Sequence, residues 1–176
     1  VMRQRWVQGD GSMSDAAESE PRAAPRLSVR AQYIKDLSFE NPNAPGSLRS
    51  EQNQPAINVD IDVDARALGK ANHEVGLRIT ANATRGDTTL FVVELQYSGV
   101  FLIQNFPPER LESVCMIECP RIMFPFARRV IAETTRDGGF APLLLDPINF
   151  AALYRQRRAE QEGTQADPNA PATVPD

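Results

Sequence analysis

The chain has 176 residues, of which 41% are hydrophobic and 24% charged, and its 19 basic and 23 acidic side chains leave a net charge of -4. This length and composition predict one globular domain with a modest core. The acidic balance argues against nucleic-acid binding, which needs a basic stripe. The sequence contains no apolar run long enough for a membrane-spanning helix, so no such helix is predicted. It also lacks the apolar segment of a secretory signal, so no signal is predicted.

Both ends of the chain are predicted to be disordered. Residues 1–26 mix Gly, Ser, Pro, Ala and charge without apolar periodicity, and residues 160–176 carry three prolines and almost no large apolar side chain. Met13 makes a more natural start than Val1, so residues 1–12 are left out of the fold prediction. The folded domain is therefore expected over residues 27–159.

Strand patterns fill the first half of this domain. Alternation in the first strand assigns Tyr33, Leu37 and Phe39 to one face and Ile34, Asp36, Ser38 and Glu40 to the other. Similar alternation over residues 57–63 and 75–82 predicts two more strands, the first with an acidic outer face. The turn Arg85-Gly86-Asp87 then leads into a fourth strand over residues 90–103. We therefore expect a four-stranded antiparallel sheet.

A long helical pattern follows the strands. It is expected to begin at Pro107-Pro108, where proline suits the first helical turn, and to end at Gly138-Gly139. Pro120 and Pro125 lie inside it, and each costs about 3 kcal/mol in an unsupported helix. We therefore expect either compensating packing or a break at Cys119-Pro120.

A second, shorter helix is predicted near the end of the domain. Asp146 is expected to cap it, Pro147 to occupy its first position, and Tyr154 to lie on it. A run of strands followed by a run of helices predicts the α+β class, here a four-stranded antiparallel sheet packed with one long and one shorter helix.

Few side chains in the sequence suggest catalysis. His73, the only histidine, is expected to be solvated at a turn before a strand, and no nucleophile motif or nucleotide-binding glycine pattern occurs. Cys115 and Cys119 are expected to be reduced core cysteines, because further zinc ligands are lacking. No enzyme, cofactor or metal is predicted. The alternative, an enzyme that uses carboxylates alone, would need a closed pocket with two facing carboxylates.

Three segments, taken in order, resemble the SecB protein-export chaperones. They are Tyr33 to Pro45, Glu118 to Arg128 and Asp146 to Phe150, within a resemblance that runs from about Leu27 to about Arg158. The resemblance implies a cytoplasmic homotetramer, a dimer of dimers, that binds unfolded precursor proteins without nucleotide. It also implies delivery of these precursors to SecA, the motor ATPase of the Sec translocase.

The same resemblance implies two binding surfaces. A negative patch on the outer sheet face docks the basic, zinc-bearing tail of SecA in this family, and the matching positions here are Asp36, Glu40, Val92 and Glu94. Clients are expected in a hydrophobic groove between the sheet and the region from Pro107 to Phe126. The excess of Phe and Met makes these residues candidates for it: Phe39, Phe101, Phe106, Met123, Phe124 and Phe126.

One alternative stays open within the same family. A SecB-like chaperone can serve another system, such as a toxin-antitoxin partner, and the sequence does not separate the two functions. The contact that the last helix and tail make with SecA in the family is left open here, because the end of this chain is poor in distinctive sequence.

Overall fold

The computed structural model describes residues 23–49 and 54–165. Four strands come first and helices follow, which confirms the predicted α+β class with a four-stranded antiparallel sheet. The strands are β1 (Arg26–Glu40), β2 (Ala56–Gly69), β3 (Asn72–Arg85) and β4 (Thr88–Gln104), and the helices are α1 (Pro108–Ser113), α2 (Cys119–Asp137) and α3 (Phe150–Gln165). None of these helices is both long and apolar enough to cross a bilayer.

The sheet has the order β1-β4-β3-β2, with every neighbouring pair antiparallel. Consecutive strands β1 and β2 therefore lie on opposite edges, so their connection must cross one end of the sheet. That connection contains a short 3-10 helix, Gly46–Leu48. Residues 50–53 within it lie outside the described part of the chain.

The core lies between one face of the central strands and the helices. Alternate side chains of β3 and β4 are fully buried on this helix-bearing face, and α2 contributes Met123, Ala127 and Ile131 to the same cluster. Gly99 on β4 is required here, because a Cβ at this position would lie 2.9 Å from the Met123 sulfur. Each fully buried large apolar side chain stabilises the fold by about 1.5–3 kcal/mol.

Strand β1 contains a β-bulge that reverses the order of its side chains. The register with β4 shifts at Lys35, which has no partner there. One extra residue turns the side chains that precede it to the opposite face, until a second register shift at Arg30 restores the original order. Tyr33 consequently lies on the outer face with Asp36, while Leu37 and Phe39 face the helices. The predicted grouping of Tyr33 with Leu37 and Phe39 was therefore wrong.

The long helical segment is irregular just before Pro120, but it is not broken at Cys119-Pro120. A π-helical turn, Val114–Glu118, joins α1 to α2, and the Cys119 N–H bonds back to the Val114 carbonyl. Pro120 follows in the first turn of α2, where its missing N–H costs least. The wider turn thus accommodates Pro120 without breaking the segment, whereas Pro125 stays inside α2.

Helix α3 begins later than predicted. The Asn149 side chain accepts the Ala152 N–H at 3.0 Å, so Asn149 caps the helix and the predicted Asp146-Pro147 start was wrong. The helix continues to Gln165, which includes residues that the sequence analysis assigned to the tail. The rest of the predicted tail, residues 166–176, and most of the predicted arm, residues 1–22, lie outside the described residues.

Candidate functional site

An open, largely apolar groove lies at the end of the sheet where the β1–β2 connection crosses. It encloses about 390 Å³. One wall is the 3-10 helix with Leu48, the other is the connection between α2 and α3 with Phe140 and Leu143, and Ile57 and Phe91 line it from the sheet. This groove differs in place from the predicted one, which was expected beside residues 107–126.

Three aromatic rings lie together at this groove. Phe140 contacts Phe91 with ring centroids 4.9 Å apart, and Phe39 stacks on Phe91 at 5.8 Å. Rings at these separations stabilise one another beyond the area they bury. Phe140, which is partly buried, lines the groove, and the buried Phe91 ring supports it from the sheet.

The α2–α3 connection is held against α2 by one buried hydroxyl. Thr135 donates a hydrogen bond to the Ile131 carbonyl at 2.9 Å and accepts one from the Leu143 N–H at 3.0 Å. Gly139 has a left-handed φ of +89°, and a Cβ there would lie 3.0 Å from Leu48. The two walls can therefore approach closely only because Gly139 has no side chain.

The six predicted groove residues occupy different places. Phe101 and Met123 are fully buried and Phe124 is buried against Phe150, so in the single chain these three side chains offer little or no surface to a ligand. Phe39 belongs to the aromatic cluster at the groove. The remaining two, Phe106 and Phe126, lie elsewhere: Phe106 lines a separate hollow beside Pro107, and Phe126 is 46% exposed on α2.

The sequence contained a signal for the groove residues that the prediction missed. Phe140 to Leu145 is almost continuously apolar, yet it lies between two helices and contains Pro142. An apolar run without regular structure must cover, or be covered by, another apolar surface. The sequence has no comparable signal that marks Leu48 or Ile57 as groove residues. These two side chains line the same groove only because of the way the β1–β2 connection crosses the sheet.

The outer sheet face carries the four positions predicted to dock SecA. Register pairs Glu40 with Val92 and Ser38 with Glu94, so these side chains occupy adjacent rows on β1 and β4, and Asp36 lies one row further. The three carboxylates are exposed and form no ion pair within the described residues, while Val92 is partly buried. The structure therefore brings Asp36, Glu40, Val92 and Glu94 together into one surface, which we call the acidic patch.

A buried carboxylate lies further along the same face. The Glu74 side chain is 5% exposed, accepts hydrogen bonds from Tyr33 and from Lys35 at 3.2 Å, and pairs with Arg66. The Tyr33 hydrogen bond, helped by Arg66 and Lys35, lowers the pKa of Glu74 from 4.5 to about 2. The same hydrogen bond raises the pKa of Tyr33. Glu74 thus ties β3 to the neighbouring β2 and, across β4, to β1.

Replacing Glu74 with glutamine is expected to destabilise the fold by about 1–3 kcal/mol at pH 7, because the buried side chain loses its charge-assisted hydrogen bonds from Tyr33, Lys35 and Arg66. The lower end is expected, since Lys35 and Arg66 are largely exposed. Glu74 has a lowered pKa, so its stabilisation is present above pH 4.5 and is lost as the pH falls towards 2. Urea unfolding at several pH values measures this. The difference in the free energy of unfolding between wild type and Glu74→Gln should narrow as the pH falls. The exposed Glu94→Gln control should differ little from wild type at every pH.

A second hollow, of about 380 Å³, lies beside the π-helical turn. His73, Arg66, Cys115 and Met116 contribute to its lining. His73 is partly buried, and its Nδ1 has no partner in the described part of the chain, so the expectation of a solvated side chain was wrong. The register explains this, because His73 pairs with the fully buried Phe101 on the helix-bearing face.

Both cysteines are free and buried, as predicted. The Cys119 thiol donates a hydrogen bond to the Cys115 sulfur, which lowers the pKa of Cys115 and raises that of Cys119. Among the described residues, no three His, Cys, Asp or Glu side chains are placed to hold a metal ion.

Exposed apolar side chains also lie on β1 and α2, outside the groove. Phe126 and Ile122 are one turn apart on the exposed side of α2. Three more exposed apolar side chains lie on the helix-bearing face of the edge strand β1: Val29, Ile34 and Leu37. Ile34 lies on this face because of the bulge at Lys35. We call these five residues the apolar strip.

Comparison of the sequence with known proteins identifies its family. The family model described as preprotein translocase subunit SecB matches residues 20–161. The protein-export protein SecB of Rhodopseudomonas palustris (strain BisB5) is 54% identical over 155 residues, covering 88% of this chain and 98% of that protein. The protein of the same description from Parvibaculum lavamentivorans is 53% identical over 148 residues, covering 83% and 88% of the two chains.

A solved structure shares the fold. The SecB-like chaperone of Mycobacterium tuberculosis, in complex with a ChAD peptide from the HigA1 antitoxin, superposes with a TM-score of 0.58 at 12% identity, covering 70% of this chain and 91% of that one. At this identity the likeness concerns the fold alone. The family match over most of the sequence and the relatives that are more than half identical establish that this chain belongs to the SecB family.

Proposed function

We propose that this chain is an ATP-independent export chaperone that acts in the cytoplasm. It binds non-native precursor proteins, keeps them competent for translocation and delivers them to SecA. The observation that carries the proposal is the open apolar groove lined by Phe140 and supported by the buried Phe91, in a chain whose relatives are described as protein-export proteins. A protein that binds the unfolded state draws clients away from folding by mass action, so no catalytic step is required.

The groove suits clients of many sequences. Each apolar client side chain buried against Phe140 or Leu48 contributes about 1.5–3 kcal/mol, less the cost of ordering the client. Apolar contacts of this kind do not depend on a defined sequence. The groove is also open to solvent, so an extended segment can enter without threading.

The acidic patch is the proposed docking surface for SecA. Its carboxylates lie on the outer face, whereas Phe39 and Phe91 lie on the helix-bearing face. Client and SecA are therefore expected to bind at the same time without competing for one surface. An exposed ion pair contributes only about 0.2–1 kcal/mol, so docking depends on several carboxylates together and weakens with salt.

The apolar strip is the proposed contact between subunits. Exposed apolar side chains on two neighbouring elements rarely stay uncovered in a protein at work. Four chains of 19.5 kDa give a homotetramer of about 78 kDa, with two kinds of interface in a dimer of dimers.

Replacing both Ile122 and Phe126 with aspartate is expected to dissociate the tetramer, because two charges would be buried at a subunit contact. Light scattering should give about 78 kDa for the wild type and a mass of one or two chains for the variant. Leu144→Asp, at an exposed apolar residue on the α2–α3 connection, is the control and should remain a tetramer. A wild-type monomer would refute the assembly.

The function is tested by holding activity. Purified protein, without ATP, is added in stoichiometric amounts to a chemically unfolded client that aggregates on dilution, and light scattering follows the aggregation. Suppression that is unaffected by added ATP is expected. Failure to suppress aggregation of several unrelated clients would contradict the proposal.

The alternative role, in a toxin-antitoxin system, has weaker support. The structure in complex with an antitoxin peptide shares only the fold at 12% identity, whereas the relatives named protein-export proteins are 53–54% identical. A pulldown from the native host distinguishes the two, because recovery of SecA supports export and recovery of a small toxin pair supports the alternative.

A further inference from the structure

The hollow beside the π-helical turn gives access to one of two neighbouring thiols. Cys115 lines it and is 4% exposed, whereas Cys119, one turn further along the helical segment, is fully buried and does not line it. The two side chains are hydrogen-bonded to each other, with the Cys119 thiol as donor. They are the two cysteines of the sequence. A small molecule that enters the hollow can therefore meet Cys115 but not Cys119.

The hollow is open to solvent and has polar groups in its lining. Two small side chains of β2, Ala65 and Ala67, leave room for it opposite the π-helical turn. Arg66 and Glu112 add charged groups, and His73 adds an imidazole whose Nδ1 is buried without a partner in the part of the chain that the structure describes. Because buried polar atoms are nearly always hydrogen-bonded, the Nδ1 of His73 favours a polar occupant of this hollow.

The hydrogen bond between the thiols makes them chemically unequal. Because the Cys119 thiol donates to the Cys115 sulfur, it stabilises the Cys115 thiolate and lowers the pKa of Cys115. The same hydrogen bond, together with burial, raises the pKa of Cys119. The thiolate is the nucleophile in thiol–disulfide exchange. Cys115 is therefore the thiol that reacts first, and Cys119 is placed to react with it afterwards.

We propose that Cys115 is a modification site for small polar disulfides, such as oxidised glutathione, and that Cys119 converts the adduct into an intramolecular disulfide. In the first step the Cys115 Sγ bonds to one sulfur of the small disulfide, whose S–S bond breaks, and the departing thiolate takes up the proton that Cys115 released. In the second step the Cys119 Sγ bonds to the Cys115 Sγ, the mixed disulfide breaks, and the second small thiol leaves with the Cys119 proton. The two cysteines are thus oxidised, and one small disulfide is reduced to two thiols.

The position of the two cysteines predicts that this disulfide is reversible. Cβ atoms one turn apart on a helix face are separated by about 5–6 Å, and a disulfide requires about 3.5–4.5 Å. Closing the bond therefore contracts the turn between Cys115 and Cys119. Pro120 has no backbone N–H, so one hydrogen bond fewer opposes this contraction. A strained disulfide is reduced easily, so an excess of small thiol should restore both cysteines.

Intact-mass spectrometry of the folded protein in oxidised glutathione tests the inference. The wild type should lose two hydrogen atoms without a lasting adduct, and excess reduced glutathione should reverse the change. Cys119→Ser, which keeps a hydrogen-bond donor beside Cys115, should stop at the mixed disulfide. Cys115→Ser should react at least about tenfold more slowly than wild type, because Cys119 does not line the hollow. Two unreacted thiols or a lasting adduct in the wild type, a disulfide between two chains, or an equal rate in Cys115→Ser would overturn the inference.

Filling the hollow tests the route of entry. Ala67→Trp places an indole ring in the lining and should slow the reaction of Cys115 by about tenfold, because exchange depends on access to the sulfur. Ala56→Trp places the same ring at the other end of β2, outside the hollow, and should react at the wild-type rate. Equal rates in the two variants would refute the hollow as the route.

Two measurements on the unmodified protein do not depend on how the variants fold. Phenylarsine oxide, which bridges two adjacent thiols through two As–S bonds, should bind as one molecule per chain, and absence of binding would contradict the pairing of Cys115 with Cys119. The rate of reaction with oxidised glutathione should stay constant in urea below the unfolding transition. A rate that instead follows the unfolded fraction would show that unfolding, and not the hollow, exposes Cys115. The site lies apart from the groove and the acidic patch, so neither result bears on the holding function.

Discussion

Phe140→Ala will weaken client binding by about 10- to 100-fold. Phe140 packs on Phe91 at 4.9 Å and lines the groove, so truncation removes both a contact surface and the support of its neighbour. Losing one large apolar contact costs about 1.5–3 kcal/mol, and 1.4 kcal/mol changes a dissociation constant tenfold. Anisotropy of a labelled, permanently unfolded client measures the effect, with thermal unfolding to check that the variant keeps its fold.

Phe106→Ala is the matched control, since it removes the same atoms from a side chain that lines a separate hollow beside Pro107. Its client affinity should stay within about threefold of wild type. The comparison also decides between two locations for the client, because the sequence prediction centred on residues 107–126 and the structure has its open groove at Phe140. Loss of binding in Phe106→Ala with none in Phe140→Ala would move the client surface to the first location.

The regular elements could be predicted because each depends on local pattern. Alternation marks β2, β3 and β4, and the hairpin at Gly86 lies where a polar turn separates two strands. Pro120 lies in the first turn of α2, directly after the π-helical turn, whereas Pro125 is accommodated inside the regular helix. Local rules failed at Lys35, since a bulge is set by pairing with β4 and leaves no clear trace in β1 itself.

The candidate sites differ in how far sequence could reveal them. The acidic patch came from family resemblance, and the register then brought Asp36, Glu40 and Glu94 side by side. The groove is different, because its walls are two connections that meet only after the chain crosses the sheet. Apolar content alone suggested Phe101 and Met123 as groove residues. The structure buries both in the core, because large apolar side chains are the ones most readily buried.

Charge reversal at Asp36 and Glu94 is expected to abolish SecA docking while client holding stays intact. Each Lys removes an attraction for a basic tail and adds a repulsion, so the double variant changes the local charge by four units and the effects accumulate. Both side chains are exposed on the outer face, and neither forms an ion pair within the described residues, so the fold should tolerate the change. Binding of SecA is measured by calorimetry at two salt concentrations.

Asp87→Lys with Asp137→Lys is the control of equal net charge, since Asp87 lies in the β3–β4 turn and Asp137 at the end of α2, both exposed and outside the patch. It should retain most of the wild-type affinity for SecA. The wild-type affinity for SecA should itself fall as the salt concentration rises. Near physiological ionic strength, salt screens the attraction between exposed charges over a distance of about 8–10 Å. Unchanged SecA binding in the patch variant, or an equal loss in both variants, would contradict a specific role for the patch. Reduced aggregation suppression in the patch variant would instead show that the two faces of the sheet do not act separately.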